Sequence, residues 1–130
     1  QVMIDAARQR WSERPQTTFE HGSRCTALAD YSIASGVCNV RLGQPLAAWE
    51  TYIAAMLDHL RAMSRIGFAV NFMLPRDGEP MEHELYRTEP QRWIAHCAAL
   101  GCSVETVSDY GMREFTLLAR IPPSASDAPR

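Results

Sequence analysis

The residues of this chain best suited to chemistry stand together in the stretch 30–42. Residues 30–34 form a β-favouring run, and small or polar side chains follow it directly: Ser35, Gly36, Asn39 and Arg41. A strand that stops on such residues just before a helix is how an α/β sheet presents a ligand site. Arg41 can bind a carboxylate or phosphate with two hydrogen bonds, and Asn39 can orient a substrate hydroxyl. We therefore predict a ligand site here.

The elements that must position this site alternate between strands and helices. A long amphipathic helix is predicted over 45–65, with an apolar stripe at three- and four-residue steps: Leu46, Trp49, Ile53, Met56, Leu57, Leu60 and Met63. Residues 66–74 are mostly apolar without alternation, which favours a strand covered on both faces. A further helix opens at Thr88-Glu89-Pro90 and ends at Gly101.

Shorter elements complete the pattern. We predict a helix over 2–12, a strand over 17–20, and two strands over 103–108 and 114–121 that pair as an antiparallel hairpin. Residues 122–130, rich in Pro, Ser and Ala, are predicted to form a flexible tail. The alternation predicts a mainly parallel sheet with right-handed crossovers, to which the hairpin adds an antiparallel strand.

Bulk composition excludes several classes of protein. With 130 residues, 46% of them hydrophobic, the chain is expected to form one globular domain. A net charge of −2 predicts no strong attraction to nucleic acid or to an anionic membrane, and no apolar run is long enough for a membrane span. All 13 basic residues are arginine, which leaves no lysine for Schiff-base chemistry. The four cysteines lack metal-site spacing, so we expect buried reduced thiols in a cytoplasmic protein and no metal.

Four segments carry a resemblance to a known family. They are Asp-Tyr-Ser-Ile-Ala-Ser-Gly-Val-Cys-Asn-Val-Arg-Leu at 30–42, Gly-Phe-Ala-Val-Asn-Phe at 67–72, Leu-Tyr-Arg at 85–87 followed by Glu89-Pro90, and Asp109-Tyr110 before Glu114-Phe115-Thr116. Together, over about residues 2–121, they resemble class I S-adenosylmethionine-dependent methyltransferases. More narrowly, they are similar to a bacterial subgroup of small-molecule methyltransferase-like proteins.

The resemblance implies a Rossmann-like methyltransferase fold with seven strands in the order 3-2-1-4-5-7-6, strand 7 being antiparallel. Strands 3 to 7 would fall at 17–20, 30–34, 66–72, 103–108 and 114–121, and the helix over 2–11 would lie between strands 2 and 3. Strands 1 and 2 are absent from the chain as given, and with them the Gly-rich loop and the acidic residue that bind cofactor in the family. Residues 1–121 are therefore expected to be the C-terminal portion of a methyltransferase domain. This portion should bind cofactor weakly by itself.

The resemblance also implies which residues form the site. Ser35 and Gly36 would border the methionine end of the cofactor, S-adenosylmethionine, and Ser23 and Arg24 would lie near its adenine. Substrate contacts are expected at strand ends and from two aromatic lids: Asn39, Arg41, Asn71, Phe72, Tyr86 and Tyr110. The sequence identifies no catalytic base and no metal ligand.

The function expected from these features is S-adenosylmethionine-dependent methyl transfer to a small-molecule acceptor. The protein is expected to be cytoplasmic, and a homodimer is one possible oligomeric state. The alternative is a truncated or degenerate methyltransferase-fold domain with a non-catalytic role in assembly. A different nucleotide-binding α/β protein is disfavoured because the sequence contains no phosphate-loop pattern such as Gly-x-x-x-x-Gly-Lys.

Overall fold

The computed structural model describes residues 1–124 and arranges four strands in one mixed sheet. The elements in chain order are α1 (Val2–Arg10), β1 (Ala29–Ala34), α2 (Leu46–Met63), β2 (Ser64–Met73), α3 (Pro90–Ala99), β3 (Ser103–Val107) and β4 (Glu114–Arg120). The strand order is β1-β2-β4-β3. β1 and β2 run parallel, and β4 is antiparallel to both of its neighbours. The predicted α/β sheet with an antiparallel terminal hairpin is confirmed.

α2 and α3 pack on one face of this sheet and form the core with it. The predicted stripe of α2 is the face that packs, since Ile53, Leu57 and Leu60 are its buried residues. β2 and β4 supply alternate residues to the same core, because successive side chains of a strand point to opposite faces. Phe72 stacks between Trp93 of α3 and Phe115 of β4, at ring-centroid distances of 5.8 and 5.3 Å.

The other face of the sheet is open among the described residues. Tyr31 and Ile33 of β1 are 66% and 79% exposed, and Leu118 of β4 lies on the same face through the register Ile33–Ala69–Leu118. A shallow cavity of about 620 Å³ runs along this face. Within residues 1–124, the outer edge of β1 has no strand beside it.

The predicted strand over 17–20 is wrong. Residues 17–28 contain neither helix nor strand, and Arg8 of α1 holds the segment instead by donating two hydrogen bonds to the carbonyl oxygen of Phe19, at 2.9 and 3.2 Å. A strand needs a neighbour to satisfy its backbone groups, and the described residues provide none here. The predicted tail over 122–130 lies partly outside the described residues, and its flexibility stays a prediction.

The cysteines follow the prediction at three of four positions. All four are free thiols, and Cys38, Cys97 and Cys102 are buried, but Cys25 is exposed. Burial raises the pKa of Cys38 to about 12, which disfavours the reactive thiolate. Within the described residues, none of the helices combines the length and hydrophobicity that a membrane crossing requires.

Candidate functional site

The turn after β1 meets the ends of β2 and β4 at one edge of the sheet. Gly36 has a φ of +74°, a conformation that glycine adopts without strain. Apart from Gly36 itself and its two chain neighbours, no heavy atom of the described residues lies within 4 Å of the place a Cβ would take. The N–H of Gly36 donates to Oδ1 of Asn71 at 2.6 Å. The Nδ2 of Asn71 in turn donates to Oε2 of Glu114 at 3.2 Å. The carboxyl ends of the two parallel strands and the start of β4 therefore converge, as the sequence predicts for Gly36 and Asn71.

A polar pair, Tyr110 and Thr116, lies beside the triad formed by Gly36, Asn71 and Glu114. Thr116 is directly opposite Asn71 in the β2–β4 register, and its Oγ1 lies 3.3 Å from the hydroxyl oxygen of Tyr110. Tyr110 is 40% exposed. Its ring is thus fixed near Asn71 while still presenting surface to solvent, so Tyr110 remains a candidate for contact with a ligand.

A strap formed by residues 82–88 crosses the chain that follows β1. Val40 pairs with Leu85 in an isolated antiparallel bridge, and Arg87 pairs with Met73 at the end of β2. The N–H of Tyr86 also donates to the carbonyl oxygen of Asn39 at 2.9 Å. The strap therefore fixes the loop that carries Asn39 and Arg41 against the end of β2.

Arg41 is held by backbone contacts, and its role in binding substrate stays a prediction. Its side chain is buried and donates to three backbone carbonyls: Gln44 at 2.6 Å, Glu82 at 2.9 Å and Leu85 at 3.3 Å. These bonds use one N–H each of Nη1, Nη2 and Nε, so about three of the five guanidinium donors are committed to backbone carbonyls. Arg41 joins its own loop to the strap.

Asn39 is buried as well, but it is not fully satisfied. Its Oδ1 is a buried atom with no hydrogen-bond partner among residues 1–124. A buried polar atom in that state costs free energy unless a donor reaches it. Asn39 therefore remains a candidate for ligand binding.

Two predicted substrate residues, Phe72 and Tyr86, belong to the interior. Phe72 is fully buried in the aromatic stack with Trp93 and Phe115. Tyr86 is 1% exposed, and its hydroxyl donates to Oε2 of Glu50 at 3.0 Å. Burial raises the pKa of Tyr86, and the nearby Glu50 carboxylate adds to this. The structure therefore does not place Tyr86 as a lid or Phe72 as a substrate contact, because neither ring offers surface to a ligand.

The predicted cofactor residues fall in two different places. Ser35 is exposed beside Gly36 at the end of β1. Ser23 and Arg24 lie in the exposed segment 17–28, and no hydrogen bond or ion pair of the described residues joins them to the Gly36 turn. Their role at the adenine stays a prediction.

Glu114 is the site residue that sequence reasoning missed. It was visible as the first residue of the final strand, but a glutamate at a strand end is commonplace. Its importance comes from the β2–β4 register, which places Glu114 opposite Met73 and within reach of Asn71. A carboxylate can accept about four hydrogen bonds, so the bond from Asn71 leaves capacity for a ligand hydroxyl or amine.

Comparison with known proteins decides the family. No family model matches the chain. Over 120 residues it is 38% identical to the protein of Mycobacterium tuberculosis named "Putative methyltransferase Rv1506c", an alignment that spans 91% of this chain and 72% of that protein. The chain belongs to the methyltransferase family.

Solved structures of methyltransferases share its fold. Magnesium protoporphyrin IX methyltransferase from Synechocystis PCC 6803, solved with bound SAH, superposes with a TM-score of 0.65 at 16% identity over 92% of this chain. An O-methyltransferase family protein from Burkholderia thailandensis superposes with a TM-score of 0.61 at 14% identity, also over 92%. The chain spans 60% of the first protein and 41% of the second.

Proposed function

We propose that the protein transfers a methyl group from S-adenosylmethionine to a small-molecule acceptor, at the edge where β1, β2 and β4 meet. The observation that carries the proposal is the Gly36–Asn71–Glu114 chain of hydrogen bonds, at 2.6 and 3.2 Å, in a member of the methyltransferase family. In parallel α/β sheets, ligands bind at the carboxyl ends of strands. Bound S-adenosylmethionine would supply a methyl group activated on a sulfonium.

The residues around Gly36 fit the methionine end of that cofactor. The open space over Gly36 lets a ligand approach the backbone, and the exposed Ser35 offers a hydroxyl at the same turn. The sulfonium brings a positive charge, which the neighbouring Glu114 carboxylate would favour. We therefore assign cofactor contact to Ser35 and Gly36.

Acceptor positioning falls to the polar groups on the other side of the triad. Glu114 can accept a hydrogen bond from an acceptor hydroxyl or amine and can take up its proton. Tyr110 and Asn39 would orient the acceptor from either side. Methyl transfer needs an aligned approach of the acceptor atom, so holding it in place is a large part of the catalysis.

The proposal is tested on the protein expressed from its complete gene, with Asn71→Leu as the diagnostic variant. Leucine is close in volume but can neither accept from Gly36 nor donate to Glu114. We expect calorimetric titration with S-adenosylmethionine to show binding by the wild type and at least about tenfold weaker binding by Asn71→Leu, the equivalent of one charge-assisted hydrogen bond. Gln91→Leu, an exposed substitution on α3, is the matched control and should bind as the wild type does.

A non-catalytic role in assembly is the second candidate function, supported by the open apolar face around Tyr31 and Ile33. The titration separates the two. Absence of cofactor binding by the wild-type protein, together with no transfer of radiolabelled methyl from S-adenosylmethionine to any compound in a panel of hydroxyl, amine and carboxyl acceptors, would refute methyl transfer and leave assembly.

A further inference from the structure

The strap carries a buried cation whose bonds are incomplete. The side chain of Arg87 is 8% exposed. Its Nη1 donates to the carbonyl oxygen of Leu74 at 3.3 Å and its Nη2 to Oε1 of Glu82 at 3.4 Å, while Nε has no partner among the described residues. Both bonds are long for a charged group, which usually donates at 2.7–2.9 Å. A buried guanidinium in this state has strong capacity left for an anion.

A small cavity lies beside this guanidinium. Its volume is about 80 Å³, and the residues around it are Pro75, Arg76, Glu79, Pro80, Met81 and Arg87. A water molecule takes about 30 Å³ of the liquid, so the cavity has room for a carboxylate or phosphate group. Arg76 brings a second guanidinium, held by Glu79 at 3.4 Å with both side chains about half exposed. Two arginines therefore face a space of the right size for one oxyanion.

The carboxylates nearby do not fill that role. Glu82 and Glu79 balance the two arginines in charge, but each makes one contact at 3.4 Å, and their side chains are 42% and 54% exposed. The Arg76–Glu79 pair is exposed on both sides and contributes little, since water screens it and side-chain entropy opposes it, whereas the Arg87–Glu82 pair joins a buried guanidinium to a carboxylate that is itself partly exposed. A ligand carboxylate with two parallel bonds to one guanidinium would be the better partner.

The cavity lies within reach of the proposed methyl-transfer site. Arg87 pairs with Met73, which is two residues beyond Asn71 on β2. At about 3.3 Å per residue, Asn71 and Met73 are separated by about 7 Å along the strand, and Arg87 lies beside Met73 on the neighbouring backbone, about 5 Å to the side. A small molecule can span that distance with one end at Arg87 and the other at Asn71.

We propose that Arg87, assisted by Arg76, binds an anionic group of the methyl acceptor, so that the acceptor is a small molecule carrying a carboxylate or phosphate. The role in acceptor binding rests on the proposed methyl transfer, but the anion site itself does not. Arg41 has no part in it, because three of its donors are bound to the backbone. The specificity of the site would thus reside in the strap and in the loop 75–81.

The test follows the Nε–Hε resonances of arginine by ¹H–¹⁵N correlation NMR, without cofactor and at constant ionic strength. Sodium benzoate is the carboxylate probe and inorganic phosphate the phosphate probe. We expect a saturable shift of the Arg87 resonance with at least one of them. In the Arg87→Lys variant, binding is followed by the chemical shifts of the strap amides. This substitution should weaken anion binding at least about tenfold, because lysine keeps the charge but loses the paired N–H donors of the guanidinium.

Arg10→Lys is the matched control, a change of the same kind on the exposed surface of α1, and it should bind the anion as the wild type does. No saturable shift with either anion, or equal binding by Arg87→Lys, overturns the proposal. Should Arg87→Lys fail to fold, the exposed variant Arg76→Gln must weaken binding instead. Because no cofactor is present, failure here is distinct from failure of S-adenosylmethionine binding.

Discussion

At the scale of single residues, burial and hydrogen bonding separate the polar groups that hold the structure from those that can hold a ligand. Arg41 and Asn39 stand two positions apart and are equally buried, at 7% exposure each. The guanidinium of Arg41 is used on three carbonyls, whereas Oδ1 of Asn39 has no partner in the described part of the chain. Side-chain type alone put both residues forward as ligand residues, but the contacts favour Asn39.

This contrast predicts opposite behaviour on truncation. Arg41→Ala removes three hydrogen bonds to the backbone of the strap and should lower the free energy of unfolding by about 2 kcal/mol or more, as for loss of a charged hydrogen bond at a buried site. Asn39→Ala removes an unsatisfied atom and should cost less than about 1 kcal/mol. Urea unfolding of both variants measures the difference. In turnover assays of the complete protein, Asn39→Ala should lower activity while cofactor affinity stays unchanged. Equal losses of stability would contradict the distinction.

At the scale of elements, hydrophobic periodicity predicted the packed helix and the hairpin, whereas strand pairing decided whether the segment 17–20 forms a strand. The stripe on α2 and the hairpin of β3 and β4 are local patterns, and both were predicted within a few residues. The segment 17–20 has a β-favouring sequence, but a strand exists only with a partner, which no local pattern reveals. Phe72 lies in the core and not at the site for a reason that the sequence contains. It follows Asn71 directly in a strand, so the two side chains must face opposite sides of the sheet.

Glu114 marks the limit of prediction for the site. Its contact with Asn71 spans 43 positions of the chain and depends on the β2–β4 register, in which Asn71 lies opposite Thr116. Hydrophobic patterning fixes which residues of a strand face the core, but it does not fix which residue of the neighbouring strand stands opposite. The same holds for the strap, whose contacts with the loop after β1 are mostly backbone hydrogen bonds.

The packing of α2 on the sheet gives a prediction at this scale. Leu57 is fully buried in the middle of the stripe. Leu57→Ala should lower the free energy of unfolding by about 2–5 kcal/mol, because it removes buried methyl groups and leaves a cavity. Leu46→Ala, at a 38% exposed position on the same helix, is the control and should cost under about 1 kcal/mol. Denaturant melts that show a loss below about 0.5 kcal/mol for Leu57→Ala would disprove the packing.

At the scale of the whole molecule, the two faces of the sheet differ in kind. One face is covered by α2 and α3 and contains the core, while the other shows apolar side chains to solvent along a cavity of about 620 Å³. None of the candidate site residues line this cavity, since they lie at the edge of the sheet. Its lining includes Ser32, Ser103, Glu105 and Arg120, but no hydrogen bond among the described residues connects their side chains to the Gly36–Asn71–Glu114 chain. The cavity is therefore a consequence of an uncovered sheet face.

Within residues 1–124, an apolar face that no element covers lies beside the unpaired edge of β1, and this combination favours self-association of the chain. Exposed apolar patches and free strand edges both promote contact between copies. Ile33 is 79% exposed and lies on β1 beside that edge. Ile33→Lys should reduce the fluorescence of a bound hydrophobic dye and shift sedimentation toward the monomer, because a lysine on an edge strand opposes association. Stability should change by no more than about 0.5 kcal/mol, since the side chain packs against little.

Met3→Lys, at an 84% exposed position on α1, adds the same charge away from the face and should leave dye binding and sedimentation as they are in the wild type. If both variants reduce association equally, net charge is the cause; if Ile33→Lys unfolds the chain, β1 is packed on both faces and the open face does not exist in solution.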